Sequence, residues 1–310
     1  MRAAVPLFFQ SIKVDNKPLL TAGGPLLIAS NHPNSFLDAI IFDILFDLPV
    51  TSLARGDAFK SKYIFRLLRA LKMLPVYRIR EGIENLNTNY ETFEACMELF
   101  RNKEAVLIFS EGLCVNEWHL RPLKKGTARL AFKAWDNKIP LRVLPAGINY
   151  SSFRKYGKSV RVHLGSLIEA VAFDPGRPDG INYNCFNERL KQQLEALVFE
   201  IAPADSKELA RKFGSTPAPV KLFLALPALA GALLHAPLYW LAKLVMKIFF
   251  DNTDHYDSVM FGFLLLGYPF YVLLFFIPAL HYLGLIYALS ILLLLPLTAY
   301  CYTKYEIRKG

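Results

Sequence analysis

The chain has four cysteines, Cys96, Cys114, Cys185 and Cys301, scattered without paired spacing. They fit neither a disulfide framework nor a zinc site, and a reducing compartment is the simpler expectation. No Gly-x-Ser-x-Gly elbow occurs, so the usual signal of a serine nucleophile is missing. The glycine spacing of a phosphate-binding P-loop is absent too. The opening residues, MRAAVPLFFQSIKVDNK, lack the long apolar core and small-residue cleavage site of a signal peptide. There is no internal repeat and no helix-turn-helix, zinc-finger or aromatic RNA-binding motif, so nucleic acid is not an expected partner.

Charge is missing altogether between Ser258 and Thr303. About 20 apolar residues span a bilayer, so this run is long enough to cross twice, with a turn near Gly284. Pro217 to Ala242 is a further apolar stretch, interrupted by Pro227, His235 and Pro237. Those interruptions suit a bent transmembrane helix, a re-entrant hairpin or an interfacial segment. The formal charge of the chain is +10, and its first 215 residues hold 30 of the 36 Lys and Arg and 22 of the 26 Asp and Glu. A basic part beside an apolar anchor suits anionic headgroups, a phosphorylated substrate or an acidic carrier. Lys304, Arg308 and Lys309 follow the apolar run directly, which is the pattern of a cytoplasmic end.

What the remaining sequence contains is organised around Pro25 to Asp43, PLLIASNHPNSFLDAIIFD. Leu26 to Ala29 is a short apolar run closed by Ser-Asn, the pattern of a buried strand. Phe36 to Leu45 carries apolar residues at helical spacing, with Asn34 or Ser35 suited to cap it. His32 therefore falls on the loop between a strand end and a helix start. Asp38, in the first turn of that helix, can reach back to the imidazole, fix its tautomer and leave the other nitrogen free to take a proton. The same residues also suit plain turn chemistry, with Asp38 favoured by the helix dipole.

Strand candidates continue at 50–54, 73–80, 105–109, 142–146 and 160–164, alternating with helical patterns at 59–71, 87–101 and 182–201. Residues 6–20 are expected to form a strand and turn ahead of them. This alternation predicts an α/β fold with a largely parallel sheet flanked by helices. Arg78 and Arg80 fall on one face of the 73–80 strand, where two guanidinium groups can share a phosphate. Ser110-Glu111-Gly112 closes the 105–109 strand, and Lys124-Lys125-Gly126 precedes a helix whose N-terminal amides favour an anion. Gly214 to Pro219 has linker composition. The expected organisation is a catalytic domain over 1–213, a linker over 214–219 and membrane-anchoring helices over 220–310. A transmembrane hairpin is expected at about 258–303.

Four blocks together resemble those of the PlsC-type glycerophospholipid acyltransferases: NHPNSFLD at 31–38, LPVYRIR at 74–80, IFSEG at 108–112 and VLPAG at 143–147. Order and spacing match over about residues 25–170. Two departures stand out. Five residues separate His32 from Asp38 where the family usually has four, a gap similar to that of fungal-type glycerol-3-phosphate/dihydroxyacetone-phosphate acyltransferases. The Asp257-Ser258-Val259 run ahead of an apolar hairpin also looks like that subgroup. The arginine that commonly follows Glu-Gly is missing here, leaving Arg121, Lys124 or Lys125 to take its place.

The resemblance implies the glycerolipid acyltransferase fold and acyl transfer from a thioester to the hydroxyl of glycerol-3-phosphate, dihydroxyacetone phosphate, lysophosphatidate or another lysolipid. His32 would be the base and Asp38 its orienting carboxylate. Arg78, Arg80, Glu111, Gly112, Lys124 and Lys125 would form the acceptor site. The implied co-substrate is a coenzyme A or acyl carrier protein thioester, with no bound cofactor and no metal. The membrane is the other expected partner. The catalytic domain is expected on the cytoplasmic side of an integral membrane protein; a non-enzymatic lipid-binding protein is the contrasting reading.

Overall fold

A computed structural model describes residues 5–59, 61–77, 86–174, 176–202, 205–214 and 216–305. Among the described residues, seven strands make one sheet: β1 (Phe9–Asp15), β2 (Leu26–Ser30), β3 (Val50–Arg55), β4 (Met73–Val76), β5 (Ala105–Phe109), β6 (Arg142–Tyr150) and β7 (Lys158–Leu164). Their spatial order is β1-β7-β6-β2-β5-β3-β4. Strands β2 to β6 run parallel; β7 is antiparallel to β6, and β1 pairs parallel with β7. Helices are α1 (Val5–Phe8), α2 (Ser35–Leu45), α3 (Lys62–Ala70), α4 (Leu86–Arg101), α5 (Gly126–Asp136), α6 (Asp179–Leu197), α7 (Ser206–Phe213), α8 (Ala218–Phe249), α9 (Tyr256–Tyr282) and α10 (Leu285–Tyr305).

All five residues of β2 are buried, as a strand covered on both faces requires. Its side chains alternate between two cores. Leu26 and Ile28 pack with α2 on one face, whereas Leu27 and Ala29 pack with α4, α5 and α6 on the other. Each large apolar side chain so buried contributes about 1.5–3 kcal/mol. From β2 the chain crosses through α2 to β3, beyond β5; from β5 it crosses through α5 to β6, beyond β2. The two connections leave in opposite directions, so a crevice opens at the carboxyl ends of β2 and β5. Open parallel sheets bind ligands at such a switch point.

Several elements differ from the sequence reading. Within 6–20, Leu7 and Phe8 belong to the single turn α1 and the strand is Phe9–Asp15. Asn16 then turns at φ 61 into a short 3-10 helix. Helix α6 stops at Leu197 rather than 201, because Val198 is extended and the Phe199 amide donates to the Asn149 side chain on β6 at 2.7 Å. Strand β6 continues beyond Ala146 to Tyr150, paired with β7 along the extension.

Helix α7 closes at Phe213 and α8 opens at Ala218, and Leu238, Ala242, Met246, Tyr256, Met260 and Phe261 join the same core as α2. Instead of breaking at its prolines, α8 is one helix of 32 residues. Pro237 removes one N–H from the helical ladder, and in that turn the Leu234 carbonyl accepts the Tyr271 hydroxyl of α9. By length and composition α8, α9 and α10 are each able to cross a membrane.

Both ends of α8 are tied to the sheet domain. Thr216 accepts from Gln10 at 2.8 Å, and past the other end Asp251 pairs with Arg154 and Asp254 accepts from the Asn116 amide at 3.0 Å. The tail of α10 returns to the same domain, where Thr303 donates to the Leu7 carbonyl at 2.7 Å and Lys304 to the Phe9 carbonyl at 3.1 Å. By contrast, the α9–α10 turn around Leu283 and Gly284 is exposed, with Tyr282 and Ile286 each 79% accessible.

Candidate active site

His32 lies just past the end of β2, held by a short loop before α2. Its Nδ1 is 2.9 Å from Asp38 Oδ2, and its ring is stacked on Phe109 at 3.7 Å between centroids. The side chain is 18% exposed, whereas that of Asp38 is fully buried. A buried carboxylate needs donors, and Asp38 has three. Besides His32, the Asn34 amide donates to Oδ2 at 2.8 Å and the Tyr150 hydroxyl to Oδ1 at 2.7 Å. Burial, then the Asp38 charge, push the Tyr150 phenol well above its ordinary range, so it stays a donor. With Nδ1–H given to Asp38, the imidazole is fixed in the tautomer whose Nε2 is an acceptor, and no described residue occupies that nitrogen.

The five residues between His32 and Asp38 run through the loop into the start of α2. Ser35 has a positive φ of 49°, and Asp38 falls in the first turn of α2. Asn31 locks the other side of the loop by exchanging two bonds with Ile148, donating to its carbonyl at 3.0 Å and accepting from its amide at 2.8 Å.

Glu111 follows β5 and is buried. Its Oε2 accepts from the His32 amide at 2.9 Å and its Oε1 from the Arg121 amide at 2.8 Å. Both carboxylate oxygens therefore tie the His32 loop to the segment that leads into α5. Burial raises the Glu111 pKa, against the lowering effect of those two amides. Gly112 has a positive φ of 63°, and a Cβ there would come within 3.2 Å of Lys124. The Lys124 amide in turn donates to the Ser110 carbonyl at 2.7 Å, so exposed Lys124 and Lys125 stand at the same end of the sheet as His32. Arg78 and Arg80 lie outside the described residues.

Cys114 was not a sequence candidate, yet its Sγ accepts from the Ser35 amide at 3.0 Å. Burial pushes its thiol up, the opposite of an activated thiolate nucleophile. Tyr150 was not a candidate either. Neither was the first turn of α9, where Asp257 accepts from the Asn34 side chain at 2.6 Å and Ser258 donates to the Asn34 carbonyl at 2.6 Å. A single tyrosine at the end of a strand carries no signal of its own. The Asp-Ser pair was visible as a motif but not as a neighbour of His32.

The fold and the site together place a histidine held by a buried carboxylate at the switch point of a mostly parallel sheet, an arrangement suited to general-base chemistry, with membrane-length helices packed behind it. Residues 11–149 match the model of the Acyltransferase family, a stretch that includes His32, Asp38 and Glu111. No curated protein matches the chain by sequence. Among solved structures the chain is similar to the 1-acyl-sn-glycerophosphate (LPA) acyltransferase PlsC from Thermotoga maritima. The identity is 17% and the TM-score 0.42, over 60% of this chain and 72% of that one.

Proposed function

We propose that the protein is a membrane-bound O-acyltransferase that moves a fatty acyl group from a thioester to the hydroxyl of glycerol-3-phosphate or dihydroxyacetone phosphate. The observation that carries this reading is the His32–Asp38 pair, with Nδ1 held at 2.9 Å by a buried carboxylate inside the segment that matches the Acyltransferase family. A thioester is already activated, so the acceptor needs a positioned base more than a covalent intermediate. His32 Nε2 takes the proton of the acceptor hydroxyl as its oxygen attacks the thioester carbonyl. The tetrahedral intermediate then collapses, the C–S bond breaks, and the leaving thiolate takes the proton from His32. Asp38 stabilises the imidazolium in between. Arg78, Arg80, Lys124 and Lys125 supply the positive charge for the acceptor phosphate, and Glu111 with Gly112 shapes the loop between them. The catalytic domain sits on the cytoplasmic face.

A lysophosphatidate acceptor is the second reading, favoured by the apolar α9 that starts beside the His32 loop. Such a helix places the base at a lipid surface. An assay of the purified protein with glycerol-3-phosphate, dihydroxyacetone phosphate and lysophosphatidate, each with coenzyme A and acyl carrier protein thioesters, separates the two. Product from the small acceptors is expected; product from lysophosphatidate alone would favour the second reading. Transfer to none of them would overturn both.

A further inference from the structure

Helix α2 has an unusual cap. Asn34 stands at the N-cap position, but its side chain makes no bond to the α2 amides. It donates instead to Asp257 Oδ2 at 2.6 Å, across 223 residues of sequence. The cap is supplied from α9. Ser258 Oγ accepts from the Leu37 amide at 3.1 Å and donates to the Asn34 carbonyl at 2.6 Å. The Leu37 amide also reaches the Asn34 carbonyl at 3.2 Å, so the one hydroxyl bridges both ends of that contact and fixes the turn that precedes Asp38.

The arrangement is built rather than incidental. Ser258 is fully buried, and Asp257 and Lys158 are each 5% exposed. Lys158, at the start of β7, pairs with Asp257 Oδ1, which leaves Oδ2 for Asn34. A buried carboxylate without that cation would carry a large desolvation cost. On the next residues, Ser35 Oγ meets His255 Nδ1 at 2.8 Å and Asn116 bridges Asp254 to the Pro33 carbonyl. Asn34 and Ser35 are therefore contacted directly from His255 and the first turn of α9, and Pro33 is linked to the α8–α9 connector through Asn116. The Asn34 amide is one of the three donors to Asp38, on the same oxygen that receives His32.

We infer that Ser258 and Asp257 are positioning residues for the catalytic pair, so that seating of the membrane hairpin on the sheet domain sets the His32–Asp38 geometry. This rests on the acyltransferase reading of His32. Removing the Ser258 hydroxyl frees the first turn of α2 and lets the Asn34 peptide and Asp38 drift. Small displacements of a catalytic group cost rate rather than substrate affinity.

The test uses the full chain in detergent micelles. Ser258→Ala is expected to lower kcat about 10- to 100-fold while KM for acceptor and donor stays within about twofold. Ser258→Thr, which keeps the hydroxyl, should restore kcat. Asn34→Ala cuts the bond to Asp257 from the α2 side and should reproduce the kcat loss, which keeps the comparison alive if Ser258→Ala does not fold. Proton NMR of histidine-labelled protein provides a readout that lost stability alone would not move. The hydrogen-bonded Nδ1 proton of His32, assigned by its absence in His32→Ala, should shift upfield or vanish in Ser258→Ala and return in Ser258→Thr. A folded Ser258→Ala with unchanged kcat and an unchanged His32 resonance would overturn the inference. Wild-type protein with no His32-dependent transfer would instead overturn the acyltransferase reading. The NMR comparison would still decide whether Ser258 positions the pair.

Discussion

Tyr150 donates its hydroxyl to Asp38 Oδ1 at 2.7 Å, across 112 residues of sequence. Both groups are fully buried, so neither finds water as a substitute. Tyr150→Phe should reduce kcat about tenfold and lower stability by about 1.5–3 kcal/mol, the usual range for a hydrogen bond to a charged group. Kinetics and thermal melts of the same preparation check it. Unchanged kcat with a lowered melting temperature would assign Tyr150 to the fold alone.

The Glu111 carboxyl has its pKa raised chiefly by burial. A group with a raised folded pKa favours the folded state most when protonated. Its stabilising share is full below the unfolded value near 4.5 and is lost as pH rises through the higher folded value. Glu111→Gln cannot ionise, so its melting temperature should fall less than that of wild type as the pH is raised from about 4.5 through neutrality. Parallel curves would show that Glu111 does not titrate in this window.

Lys124→Ala combined with Lys125→Ala should raise the KM for a phosphorylated acceptor by about tenfold or more, with little change for the thioester. Arg78→Ala should act in the same direction. Initial rates over a matrix of acceptor and donor concentrations separate the two. A defect confined to the donor would move these cations out of the phosphate site.

Much of this architecture was legible from sequence because its signals are local. Leu26 to Ala29, Ala105 to Phe109 and the Phe36 to Leu45 helix each announce themselves by period or by continuous apolar character, and His32 with Asp38 falls within a single loop and helix turn. The parts that were missed depend on distant pairing. Tyr150 reaches the site only because β6 runs on past Pro145-Ala146-Gly147 alongside β7, a register that no local pattern records. Ser258 and Asp257 reach it because the first turn of α9 packs on α2. The prolines of α8 predicted breaks by local propensity, yet the helix runs through both of them, packed against α9 and α10.

We propose the orientation in the membrane from which helix ends touch the sheet domain. Thr216 and Asp251, beyond the two ends of α8, both bond to it, as do Ser258 and Lys304, whereas the Leu283–Gly284 turn is exposed. A single cysteine placed at Gly284 in a background without native cysteines should react with an impermeant reagent from outside the cell. One added after Gly310 should not. Labelling of the added C-terminal cysteine from outside would contradict the hairpin and favour three full crossings.

His32 is proposed as the base for acyl transfer, and the transfer rate of His32→Ala beside wild type tests that role. The two should be purified identically, with matched melting temperatures and membrane association, and supplied with labelled acyl thioester and saturating acceptor. Loss of a general base lowers the rate by about 10²–10⁴-fold. A fall of that size in a folded protein is the predicted result; near-normal turnover by His32→Ala would rule out His32 as the base.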